Sequence, residues 1–167
     1  METQKRVRGS GVFGKIMKRK EYDSKKFLFF DLDGTLVNSE LISVETVPLF
    51  FGVKDLLEKV KKAEVKSAIV TSGRLETTLR ILKNHKIDKF FSFIITNEDC
   101  SRGKPWPDPY QIALRESKLN AKECLVIEDS LNGRQSAIKA GLECVLVHVK
   151  SGEGFQSIES LSEWLFK

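Results

Sequence analysis

Cysteine, histidine and proline are scarce in this 167-residue chain, at three, two and four copies. Cys100, Cys124 and Cys144 are odd in number and widely spaced, with no CxxC pair. With that spacing and only two histidines in the chain to complete a zinc site, neither a disulfide framework nor structural zinc is expected. Cys124 and Cys144 stand in apolar runs and read as small buried hydrophobes. Long hydrophobic runs are also missing. None approaches the roughly 18–20 residues that span a bilayer, and the N-terminus lacks the apolar core of a secretory signal. No membrane partner is therefore expected, and the cytoplasm is the expected compartment.

Apolar residues make up 41% and charged residues 31% of the chain, the balance of a globular protein. The length suits one domain with a proper core. Net charge is +5, unevenly placed: residues 1–26 carry nine Lys and Arg against Glu2, Glu21 and Asp23. Residues 1–26 are accordingly read as a basic, flexible leader and 27–167 as the folded domain. A nucleic-acid contact would have to run through that leader, because positive charge clusters nowhere else.

Residues 27–32 (FLFFDL) form a short, nearly unbroken apolar run, as in a strand buried on both faces. Similar runs recur at 67–71, 93–96, 124–128 and 144–149. Between them, residues 53–63, 74–86, 108–118 and 130–140 have helical spacing, and 155–167 reads as a closing amphipathic helix. Asp108 before Pro109 suggests an N-cap with proline at the first helical position, and Gly141 a C-cap. Strands alternating with helices predict an α/β fold: a three-layer, doubly wound parallel sheet of about five strands, with its site beyond the carboxyl ends of the strands.

The polar clusters fall at those ends. After the first strand, period 2 throws Asp31 and Asp33 to one side, and Gly34 lets the chain turn away. After the second, Thr71, Ser72 and Gly73 lead into a helix, where free N–H groups favour an anion, although Ser72 could equally cap that helix. After the third, three prolines stiffen the loop that holds Lys104. After the fourth, Glu128 and Asp129 add carboxylates of the kind Mg²⁺ takes, with Asp129 as a plain N-cap the alternative.

DLDGT, the Thr71 position, Lys104 in GKPWPDP and EDSLNGRQSAIKAG together resemble the four motifs of the haloacid dehalogenase superfamily, in order, from Phe27 to about Val149. KPWPDPY and EDSxxGxxxAxxAG resemble its phosphoglycolate phosphatase and β-phosphoglucomutase branch. The resemblance implies a Mg²⁺-dependent phosphatase with a Rossmann-like core. Asp31 would be the nucleophile and form an aspartyl-phosphate, and Asp33 the acid and base. Thr71, Ser72 and Lys104 would bind the phosphoryl oxygens. Mg²⁺ would sit on Asp31, the Asp33 carbonyl and Asp129, with Glu128 acting directly or through water.

The chain departs from that branch in one respect. Relatives insert a helical cap domain after the first motif, whereas here only about ten residues, roughly 37–46, remain for a flap. An open site disfavours a mutase, which must keep water from the aspartyl-phosphate, and tolerates hydrolysis. The phosphorylated substrate can then be a small molecule or a macromolecule, and a homo-oligomer could cover the site. Arg74, Arg102, Trp106 and residues 38–50 are candidates for substrate contact. The alternative is a catalytically weak, capless module that binds a phosphorylated macromolecule or a partner protein.

Overall fold

The computed structural model describes residues 22–39 and 47–166. Residues 1–21 of the expected leader and 40–46 of the expected flap lie outside them. Five strands, β1 (Phe27–Phe30), β2 (Lys66–Val70), β3 (Ile94–Ile95), β4 (Cys124–Glu128) and β5 (Glu143–Leu146), form one sheet in the order β3-β2-β1-β4-β5. Every pairing is parallel. The helices are α1 (Val53–Lys62), α2 (Leu75–Asn84), α3 (Asp108–Ser117), α4 (Leu131–Lys139) and α5 (Ile158–Phe166). None of the described helices is long and apolar enough to cross a membrane.

The unbroken apolar runs follow from burial on both faces. Leu28 and Phe30 join Ile69, Leu125 and Ile127 under α1, α2 and α5, which contribute Leu56, Leu57, Ile81, Leu82, Leu161 and Leu165. Phe27 and Phe29 point the other way, with Ala68, Val70 and Val126, against Tyr110 and Ala113 of α3 and Ala137 of α4. These are the three layers that the alternation predicts. Cys124 is buried as expected, whereas Cys144, on the edge strand β5, is half-buried.

Several boundaries differ from expectation. β5 ends at Leu146 because Val147 bridges to Phe155 and His148 turns to a φ of +58°. The N-cap of α3 is Pro107 rather than Asp108, whose carboxylate accepts from Arg102 Nη2 at 2.9 Å and Nε at 3.2 Å and so is not available to cap. Gly141 does close α4 as predicted: at φ +80° it donates to the Ile138 carbonyl while Leu142 donates to that of Ala137. At the other end of the sheet, Tyr22 packs on Trp164 and Phe166, and buried Lys25 pairs with Glu143 at 2.7 Å, so packing begins before β1.

Sheet order decides where the site lies. From β1 the chain winds outward through β2 to β3, then crosses back to β4 on the other side of β1. The reversal falls between β1 and β4, where the crossovers diverge and leave a crevice at the strand ends. The segment after β1 folds back at once: Asn38 N–H donates to Pro48 O and Phe50 N–H to Leu36 O, at 2.9 and 3.0 Å. Val37 also bridges to Leu49, so the two ends of the flap segment are tied together.

Candidate active site

Asp31 follows β1 directly and is only 6% exposed. Its amide donates to Ile127 O of β4, which fixes the start of the turn. Gly34 takes φ +82°, and its amide closes the turn on Val37 O at 2.8 Å. A Cβ at Gly34 would collide with the Asp129 carboxylate, so glycine is needed here for conformation and for space. Thr35, one turn from Asp31, sends its hydroxyl between two acids: 2.8 Å from Asp31 Oδ2 and 3.1 Å from Asp129 Oδ1. Its single proton serves one of them at a time. The Thr35 carbonyl accepts in turn from His148 Nε2 at 3.0 Å, and the imidazole stacks on Phe50 with centroids 3.8 Å apart.

Lys104 ties three strand ends together. Its ammonium donates to Asp31 Oδ1 at 2.7 Å, Val70 O at 2.8 Å and Glu128 Oε1 at 2.6 Å, the end residues of β1, β2 and β4 or their neighbours. All three protons are thus engaged. Burial alone would lower the Lys104 pKa, but the charges of Asp31 and Glu128 outweigh it and raise it, so the group stays cationic.

Glu128 is fully buried and its oxygens are well occupied. Oε1 accepts from Lys104 and from Tyr110 Oη at 2.8 Å; Oε2 accepts from Ser130 Oγ at 3.2 Å. Burial, then the Asp31 charge, lift its pKa to about 7 against the opposing pull of Lys104. Ser130, not Asp129, caps α4, accepting from Gly133 N at 3.0 Å. Asp129 is thereby left to face Asp31. The capping alternative for Ser72 falls as well, since Arg74 occupies the N-cap of α2.

Asp33 reaches solvent at the mouth, yet burial of its carboxyl and then the Asp31 charge raise its pKa. Burial and Asp31 raise Asp129 likewise. Thr71 is buried, and its Oγ1 accepts from Gly73 N at 3.0 Å, leaving its own proton to donate. A Cβ at Gly73 would lie 3.3 Å from Thr71 Oγ1 and 3.6 Å from Asp33 Oδ2, so this loop abuts the outer aspartate. Ser72 is exposed on it.

The expected site residues therefore gather at one edge of the sheet. Thr35, Tyr110, Ser130 and His148 belong with them, although the sequence alone assigns them no role. Tyr110 and Ser130 stand inside the KPWPDPY and EDS motifs, where type and spacing could have flagged them; nothing marks His148. Of the substrate-contact candidates, Arg74 pairs with exposed Glu98 at 3.4 Å, and Arg102 is held by Asp108 and lies 4.6 Å from the Trp106 ring centroid. Oxygens of Asp31, Glu128 and Asp129 lie within 4.8 Å of one another, a hard, all-oxygen donor set that suits Mg²⁺.

A family model described as haloacid dehalogenase-like hydrolase matches residues 42–147. The chain belongs to this family. Within the match lie Thr71, Lys104, Glu128 and Asp129; Asp31 and Asp33 precede it. Among curated haloacid dehalogenase-like relatives, the putative pyrophosphatase PpaX of Caldanaerobacter subterraneus is 39% identical over 95 residues, covering 57% of this chain and 43% of the relative. Protein CbbY of Cereibacter sphaeroides is 34% identical over 98 residues, again 57% and 43%. The phosphorylated carbohydrates phosphatase of Thermotoga maritima is 32% identical over 92 residues, 55% and 43%. The chain thus spans less than half the length of these relatives. The solved structure of CbbY from Rhodobacter sphaeroides in complex with phosphate superposes with a TM-score of 0.73 at 19% identity, covering 82% of this chain and 96% of that one. At that identity the likeness concerns the fold, which is the haloacid dehalogenase core with its parallel five-stranded sheet.

Proposed function

We propose that the protein is a Mg²⁺-dependent phosphatase that hydrolyses a phosphomonoester through an aspartyl-phosphate on Asp31. The observation that carries this reading is the Lys104 ammonium 2.7 Å from the Asp31 carboxylate, with Asp129 and Glu128 closing the group. Asp31 and Asp129 would hold Mg²⁺ together with the Asp33 carbonyl, with Glu128 near enough to act directly or through water. The bound ion supplies positive charge that lets a carboxylate approach a phosphate dianion.

In the first step an Asp31 oxygen attacks phosphorus and the bond to the leaving oxygen breaks. Thr71 and Ser72 orient the phosphoryl oxygens through O–H and loop N–H donors, and Lys104 turns toward them the proton that it gives Asp31 Oδ1 in the free protein. Asp33, its pKa raised by burial and by Asp31, carries a proton to the leaving oxygen. As a carboxylate it then takes a proton from the water that attacks the aspartyl-phosphate, which releases phosphate and restores Asp31. Thr35, with one proton to give, steadies the Asp31 or the Asp129 carboxylate in turn. Glu128, already bound to three protein donors, serves more to hold Lys104 than to offer lone pairs to a cation. The engaged acids and lysine favour an enzyme over a binding module.

The short flap leaves the substrate open to be a small molecule or a phosphorylated macromolecule. The test is turnover of p-nitrophenyl phosphate with Mg²⁺ and with EDTA, alongside Asp31→Asn. Turnover that needs Mg²⁺ and falls by several powers of ten in Asp31→Asn is expected. Retention of more than about a tenth of the activity by that variant removes Asp31 from the role.

A further inference from the structure

We propose that Ser136, a residue outside the catalytic cluster, is a positioning residue for Lys104, acting through the loop that carries the lysine. The inference rests on the phosphatase reading only in its kinetic part.

Lys104 and Pro105 are the central residues of a tight turn, closed by Trp106 N–H donating to Gly103 O at 3.0 Å. The far end of this turn is held from α4. Ser136 Oγ donates to Trp106 O in a short hydrogen bond, and Lys139 Nζ donates to Pro105 O at 3.1 Å. Ser136 is completely buried. A buried hydroxyl is costly unless bonded, and serine within a helix ordinarily returns its proton to its own backbone. Here the proton leaves the helix for a neighbouring loop. Lys139 is exposed, so its bond is the weaker of the two.

The connection matters because α4 starts immediately after Glu128 and Asp129. The segment that carries the site's acids therefore grips the Lys104 loop twice: Glu128 holds the ammonium, and Ser136 holds the backbone two residues beyond it. With three acceptors at 2.6 to 2.8 Å, the ammonium has little tolerance for displacement. If Trp106 O loses its donor, the turn relaxes and Lys104 drifts from Asp31. Alanine suits a helix interior at least as well as serine, so Ser136→Ala removes the bond without threatening the helix.

Two measurements on the full chain test this. A buried ammonium with three acceptors exchanges slowly enough for its proton–nitrogen NMR signal to be followed, with Lys104→Met assigning it. In Ser136→Ala this signal should shift or broaden while Tm stays within about 3 °C. With p-nitrophenyl phosphate and Mg²⁺, kcat/KM should fall about fivefold to tenfold, with inorganic phosphate a weaker inhibitor by a similar factor, and Lys139→Met should cost about twofold. An unchanged ammonium signal overturns the proposal, whatever the kinetics, because Ser136 would then act by another route or not at all. A changed signal with kinetics and phosphate inhibition intact overturns it as well. If the wild type neither turns over nor binds phosphate and the signal still moves, the positioning holds and the phosphatase reading is what fails.

Discussion

The ends of β4 and β2 approach the same edge of the sheet with opposite degrees of preparation. At the β4 end, Glu128 is buried, hydrogen-bonded on both oxygens and shifted in pKa to about 7. Every contact there is in place before any ligand arrives. At the β2 end, the Thr71 hydroxyl bonds, among the described residues, only to Gly73 N of its own loop, and Ser72 is exposed. The first region stores charge that the fold must neutralise, and the second offers donors that cost little to leave in water. Substitutions should accordingly disturb both stability and chemistry at the β4 side, but affinity alone at the β2 side.

Removing the cation common to three strand ends should have the largest effect. Lys104→Met leaves Asp31 and Glu128 facing each other in a buried setting, and loss of one partner of a buried pair costs about 3–5 kcal/mol. Urea unfolding should register that loss, and kcat/KM should fall about a thousandfold. Normal stability in this variant would mean that the acids are hydrated and the β4 side is not preassembled. Next in size is Gly133→Ala, in which the new Cβ would run into the Glu128 carboxyl group. Overpacking of this kind costs about 1–3 kcal/mol, and a chemical melt is the check. Since the collision pushes Glu128 off Lys104, activity should fall with stability.

How much of this was legible in the sequence divides along the same line. The apolar runs predicted all five strands, because a strand buried on both faces has no polar side to confuse the reading. Asp31, Asp33, Lys104, Glu128 and Asp129 were visible because each directly follows or ends such a run, or stands in a proline-stiffened loop. What the sequence hid was pairing at a distance. Nothing near Ser136 shows that its proton goes to Trp106, 30 residues back, or that His148 supports Thr35 from 113 residues away. Such contacts depend on the crossing between sheet layers, which local pattern does not encode. The misread start of α3 has the same origin, since Asp108 caps nothing once Arg102 takes its carboxylate.

A smaller effect follows from protonation. The Glu128 pKa is raised from 4.5 in the unfolded chain to about 7 in the metal-free fold, chiefly by burial and then by Asp31. The fold therefore favours the protonated acid. Its contribution is fully present below about 4.5 and is lost as pH rises through about 7, as Glu128 ionises without a second cation beside it. In EDTA, Tm should drop by about 5 °C between pH 5 and 7.5, and Mg²⁺ should restore more of it at pH 7.5 than at pH 5. Glu128→Gln should flatten the EDTA profile. A slope that survives this substitution assigns the titration elsewhere.

Ser72→Ala should have the smallest effect of all, and it probes the β2 side directly. The Ser72 hydroxyl is exposed and has no hydrogen-bond partner among the described residues, so its removal leaves no buried group unsatisfied. Stability should stay within about 0.5 kcal/mol of wild type. If Ser72 only helps to receive phosphoryl oxygens, the loss should appear as a rise in KM of about threefold at unchanged kcat, since the interaction is similar in ground and transition states. Backbone N–H groups of the same loop are untouched by the substitution and would supply the rest of the affinity. A hundredfold fall in kcat, assayed with p-nitrophenyl phosphate under saturating Mg²⁺, would show that Ser72 acts on the transition state. The β2 end would then take as direct a part in the chemistry as the β4 end, and the contrast between prepared and open halves of the site would be lost.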